Sequence, residues 1–169
     1  MNARSLADHA EDNALDALNA KQRDLSHVVL GAAICGVMVL ATTALAATQP
    51  TAVAPGAREE RKPLLHALWP ALFSVSTLAA LRVWNAPSSP ARTRAVWLWG
   101  FLQAANLTLT ALPLRSPRAR LFGALASAGF TSVYVRAAAE VDEKAALMTA
   151  PSGFAGLSAF LADNEARLN

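Results

Sequence analysis

The residues with the most chemistry to offer lie in the stretch Leu98 to Leu114, "LWGFLQAANLTLTALPL", which is apolar except for its amides and threonines. Trp99, Gln103, Asn106 and Thr110 follow one another at intervals of four, three and four, the spacing that puts side chains on one face of a helix. Amides bring both donors and acceptors. In hydrocarbon an unpaired polar group costs a few kcal/mol, so such a face must turn toward other helices or a guest molecule. Two amides one turn apart offer more hydrogen bonds than one helix contact needs, and they suit a ligand or an interior network alike. A second face of this kind is formed by Ser127, Thr131 and Tyr134, a third by His66, Pro70, Ser74 and Thr77, and a fourth by Thr149, Ser152, Gly156 and Asp163.

Other candidate groups point to less. Serine and threonine in apolar helices commonly bond back to a carbonyl of their own helix, and that is the expectation here. His66 has no second histidine or carboxylate at ligand spacing and is expected to be solvated or hydrogen-bonded, not a metal ligand. Glu140, Asp142 and Glu143 are expected in a solvated loop. Cys35, the only cysteine, lies in an apolar run where packing is its expected role, and one cysteine excludes an internal disulfide or a thiolate cluster. There is no glycine-rich phosphate loop, no pair of carboxylates inside an apolar segment, and no nucleophile with an assured base, so no enzymatic activity is expected.

The elements that must position these groups are apolar runs. Of 169 residues 54% are hydrophobic and 16% charged, against about a quarter charged in soluble domains. The mean hydropathy, +0.30, is modest because so much of the apolar content is alanine. Five segments stand out: residues 28–47, 64–81, 95–114, 121–139 and 145–162, the last interrupted at Pro151 to Gly153. The first has 20 residues without a charge, the length that spans about 30 Å of hydrocarbon. Short polar connectors make neighbouring helices antiparallel. The fold expected is therefore all-α, a polytopic membrane protein built as a five-transmembrane-helix bundle. A soluble alanine-rich bundle would carry charges on every helix at 3.6-residue spacing, yet four of the five segments carry none.

Residues 1–27 differ, with five acidic and three basic side chains, and read as a polar tail or a surface helix. So acid-rich a leader, before so long an apolar run, argues against a cleaved signal peptide. Lys and Arg divide eight against seven between the two sides, which leaves orientation and the identity of the membrane open. The net charge of +3 is spread in short clusters between apolar runs, not along an aromatic-bearing face, so nucleic acid is not an expected partner. Small residues four apart, Ala32 with Gly36, Gly100 with Ala104, Gly123 with Ser127 and Ser152 with Gly156, supply surfaces for close helix approach or for a homodimer.

The pattern resembles the tryptophan-rich sensory protein and translocator protein (TspO/MBR) family over roughly residues 28 to 169. That family carries a third-helix run like Q-L-x-L-N-x-x-W followed by an Arg/Pro turn; here Leu102, Gln103, Ala105, Asn106 and Leu109 stand in that region, and Arg115 and Pro117 in the turn. Val141, Asp142, Ala145, Ala146, Leu147 and Pro151 are similar to its V-D-x-x-A-A-x-L-L-x-P run, and Leu168 and Asn169 to a frequent family ending. The departures are in the aromatics. Trp69, Pro70 and Phe73 remain in the second span, but Thr77 and Leu81 stand where an indole and a phenol are usual, and Pro151 to Phe154 replaces P-Y-x-x-W. Gln103 precedes Asn106 by three residues, not four.

The resemblance implies a membrane protein that binds, and transports or senses, a flat hydrophobic molecule such as a porphyrin, haem or a sterol, with no cofactor required. Homodimers are common in that family. Tetrapyrrole breakdown, entertained for it, is disfavoured here by the missing aromatics. Residue chemistry and resemblance together nominate Trp69, Phe73, Trp97, Trp99, Gln103, Asn106 and Tyr134 as the lining of a cavity between helices. The alternative is a structural or assembly protein of the membrane with no small-molecule site.

Overall fold

The computed structural model describes residues 3–48, 75–112 and 116–154, and all regular structure among them is helical. In chain order the helices are α1 (Ala3–Ala17), α2 (Leu25–Thr48), α3 (helical over 75–85), α4 (Pro90–Ala111), α5 (Pro117–Ala139) and α6 (helical over 143–154).

Local chemistry explains the boundaries. Two Ser-Pro pairs start α4 and α5: Ser89 accepts from the Arg92 amide at 3.0 Å and Ser116 from the Ala119 amide at 3.1 Å, while Pro90 and Pro117 fill first-turn positions whose N–H would be orphaned anyway. α4 stops at Leu112, which takes an extended ψ of 128° as the residue before Pro113 should. Asp142 caps α6, its Oδ1 accepting from the Ala145 amide at 3.1 Å.

α1 closes in a Schellman turn. Asn19 sits in the left-handed region at φ 54°, the Ala20 amide reaches the Leu15 carbonyl at 2.8 Å, and the Asn19 amide reaches Asp16 at 3.1 Å. Ala20 is buried beneath this turn. Of the two readings of residues 1–27, a surface helix is the one observed over Ala3–Ala17, and the chain after it is docked.

α4 and α5 form the most extensive antiparallel pair, joined at one end by the Arg94–Glu140 ion pair and toward the other by Ser127 Oγ donating to Asn106 Oδ1 at 2.8 Å. Between these the Phe101 and Phe130 rings meet edge to face at 5.1 Å. The core is largely alanine, with Ala79, Ala95, Ala137, Ala138, Ala145 and Ala146 closing around Val83, Leu102 and Tyr134. Such small side chains let α3 to α6 approach closely. Gly153 shows how closely: a Cβ there would lie 3.2 Å from Thr131 Cγ2.

Among the described residues two helices are long and apolar enough to cross a membrane: α2, over the window Leu25–Thr42, and α5, Pro117–Ala139. Only 11% and 28% of these windows is buried, so most of their apolar surface faces outward. Leu30, Val37 and Leu40 on α2 and Phe122, Leu125 and Val133 on α5 are among the exposed residues.

Several sequence expectations change. The run 95–114 becomes a helix that begins five residues earlier and ends before Pro113. Pro151 to Gly153 does not interrupt the last segment, because helix continues through it to 154. Most of 64–81, and 155–162, lie outside the described residues.

Two of the small-residue pairs do not make close contacts. Ala32 is exposed, and a Cβ at Gly36 or Gly100 would meet nothing within 4 Å. The buried line on α2 runs one residue earlier, through Gly31 and Cys35. Serine and threonine do bond back to their own helices, Thr131 to Ser127 at 2.8 Å, Thr149 to Ala145 at 3.0 Å and Thr108 to Ala104 at 2.8 Å.

Candidate ligand-binding cavity

α2, α3 and α4 diverge around a cavity of about 240 Å³. α2 contributes Gly31, Ile34, Cys35 and Met38, α3 contributes Ala80, Val83 and Trp84, and α4 contributes Val96, Trp97, Trp99 and Gly100. Tyr134 of α5 completes the lining. Its side chain is 1% exposed, and its hydroxyl has no hydrogen-bond partner among the described residues. A buried orphan hydroxyl costs about 1–3 kcal/mol. An apolar chamber walled by indole rings is suited to a flat hydrophobic molecule that stacks on them.

Of the residues nominated from sequence, Trp97, Trp99 and Tyr134 are brought together on this cavity. Trp97 is 76% exposed and forms its outer rim. Asn106 is half-buried one to two turns farther along α4 and engages Ser127, and Gln103 is half-buried beside it; neither lines the cavity. Trp69 and Phe73 lie outside the described residues.

Sequence reasoning missed the tryptophan most firmly built in. Trp84 is pinned from several sides. Its Nε1 donates to the His27 carbonyl at 3.0 Å, the His27 ring stacks on it with centroids 5.0 Å apart, and the Arg92 guanidinium lies 5.5 Å from its ring centroid. Arg92 Nε also donates to the Trp84 carbonyl at 2.9 Å, and His27 Nε2 lies 3.1 Å from the same oxygen. Gly31 is required by this arrangement, since a Cβ there would stand 2.5 Å from Trp84 Cδ1. A pinned indole cannot step aside. Gly31→Ala is therefore expected to destabilise the protein by about 1–3 kcal/mol, as overpacking does, and to shift the tryptophan emission; a melting curve and an emission spectrum check both.

The same end of the bundle holds a polar network. The last carbonyls of α3 are capped by arginines: Arg92 on Trp84, and Arg23 on Asn85 at 2.8 Å and on Ala86. Asn85 Nδ2 in turn donates to Leu18 at 2.9 Å. Arg82 does the same service for α1, with Nη1 donating to Asp16 at 3.0 Å and to Ala17 at 2.8 Å, while its Nη2 meets Asp142 Oδ2 at 2.8 Å. Both partners of that ion pair are buried.

Asp142 is thus buried against Arg82, not in a solvated loop, whereas Glu140 and Glu143 are exposed as expected, Glu140 pairing with Arg94. Burial first, and the Arg23 charge second, pull Arg92 below the ordinary arginine range. The only sequence signal for this network was the arginine and tryptophan closing the second apolar run. Among the described residues no three His, Cys, Asp or Glu side chains gather as a metal site would require.

No family model, curated protein or solved structure matches this chain.

Proposed function

We propose that the protein is an integral membrane protein, a five-helix bundle of the kind its third-span and Val141–Pro151 motifs resemble, which binds a flat hydrophobic small molecule between α2, α3 and α4. The observation that carries the reading is the pairing of an indole-walled apolar cavity with helices whose outer surfaces are apolar. Water would penalise those outer surfaces at about 25 cal/mol per Å², whereas a bilayer would not. The volume of about 240 Å³ lies just under the roughly 300–1,000 Å³ usual for drug-sized ligands. It fits a few fused rings whole, or one edge of a tetrapyrrole or sterol whose remainder rests on the exposed face of Trp97. With α2 facing outward, such a molecule would enter from the lipid side.

Titration of the detergent-purified protein with protoporphyrin, followed by Soret absorbance and tryptophan quenching, tests the reading. Saturable binding that weakens on Trp97→Ala supports it. Tyr134→Phe is expected to leave the free protein as stable or up to about 1 kcal/mol more stable, because the removed hydroxyl has no partner among the described residues to lose. Nonspecific partitioning alone would favour the structural or assembly alternative.

A further inference from the structure

We propose that the ligand is an amphipathic acid, its apolar body among the helices and its anionic head on the guanidinium groups of Arg23 and Arg92. This rests on the cavity being a ligand site. Two walls of the cavity lead toward the arginine-bearing end of the bundle. On α2 the lining positions Cys35 and Gly31 continue one turn outward to His27, and on α4 Trp99 and Val96 continue one turn outward to Arg92. Arg92 Nη2 lies 3.4 Å from His27 Nε2, so the two outward turns meet over Trp84.

Arg23 joins them from the segment before α2, through its bonds to the Asn85 and Ala86 carbonyls. Both guanidinium groups are half-exposed, and each spends only part of its five N–H donors on α3 carbonyls.

The contrast with the other arginines at this end is chemical. Arg82 is neutralised by Asp142 and Arg94 by Glu140, but among the described residues neither Arg23 nor Arg92 has a carboxylate within ion-pair distance. Asp24, next to Arg23 in the chain, is exposed and makes no such pair, and the nearby Asp16 carboxylate lies 3.8 Å from Lys21. Like charges this close repel. A carboxylate or phosphate accepting from both would relieve that repulsion with charge-assisted, fork-shaped hydrogen bonds. The head could belong to a free aromatic or aliphatic acid, or to an anionic lipid of the surrounding bilayer.

The test compares pyrenebutyric acid with its methyl ester, which share a flat body of suitable size and differ only in charge. The full chain is held in phosphatidylcholine nanodiscs, and protein-free nanodiscs correct for partitioning. Pyrene emission and tryptophan quenching report binding. The acid is expected to bind about tenfold tighter than the ester, the ratio that one charge-assisted hydrogen bond supplies. Within each of Arg92→Gln and Arg23→Gln, the acid-to-ester ratio should fall toward unity.

Replacing part of the phosphatidylcholine with phosphatidylglycerol identifies the source. Displacement of the acid probe would assign the head to a lipid phosphate, and its persistence to a free acid; either supports an anionic head. Equal saturable binding of acid and ester to the unmodified protein would overturn the acid head and leave the cavity reading standing. Absence of saturable binding by both would overturn the cavity reading itself.

Discussion

Replacing Asp142 with alanine is expected to destabilise the protein by about 3–5 kcal/mol, the usual consequence of stripping one partner from a buried ion pair. Arg82 would keep its charge in a buried site, and its Nε already has no hydrogen-bond partner among the described residues. The same substitution removes the oxygen that caps α6, which by itself is typically worth about 1 kcal/mol. Asp142→Asn separates the two contributions, since it retains a capping oxygen and discards the charge. Combining it with Arg82→Met should recover much of the loss, because a buried pair replaced on both sides is often near neutral. That double variant would still lose the anchor on the α1 carbonyls, so protease accessibility around Asn19 should rise while the melting temperature recovers. Thermal unfolding in detergent, followed by tryptophan emission, measures the series. A loss below about 1 kcal/mol for Asp142→Ala, the range of a solvated surface pair, would contradict the buried geometry.

Val37→Asp should give the second largest effect, and it separates the membrane reading from an aqueous one. Val37 lies near the middle of α2 on its exposed side. In a bilayer an aspartate at a helix centre costs about 2.5–3.5 kcal/mol on insertion scales. On a helix facing water a surface exchange of this kind usually stays within about 0.5 kcal/mol. Carbonate extraction of membranes from expressing cells should therefore release a substantial fraction of the variant and none of the unmodified protein. Equal retention of the two would count against a lipid-facing α2.

Helical class and the inward face of α5 were legible because each is written locally, whereas the Ser-Pro starts of α4 and α5 were read as parts of the connectors. The α5 face through Ser127, Thr131 and Tyr134 carries its own spacing. α2 was different. It is apolar all round, so nothing periodic distinguishes the line through Gly31 and Cys35 from the line through Ala32 and Gly36. What sets its rotation is a single indole from α3, which only the folded arrangement brings into contact.

The polar network was hidden for a related reason. Arg23, Arg82 and Arg92 bond mainly to backbone carbonyls, and a carbonyl leaves no residue-specific trace in a sequence. Arg82 and Trp84 stand just past the end of the second apolar run, yet one is buried in an ion pair and the other walls the cavity. Of the nominated site, Trp97, Trp99 and Tyr134 gathered on the cavity, while the amide Asn106 went to a helix–helix contact, one of the two roles two amides could serve.

The anchoring of α1 also bears on biosynthesis. Its terminal carbonyls are held by an arginine 65 and 66 positions downstream, so α1 is synthesised well before the residue that seats it. α2 and α3 must both be in place before that clasp can close. A nascent polypeptide halted ahead of Arg82 should accordingly display a loose leader, and extension past that codon should secure it.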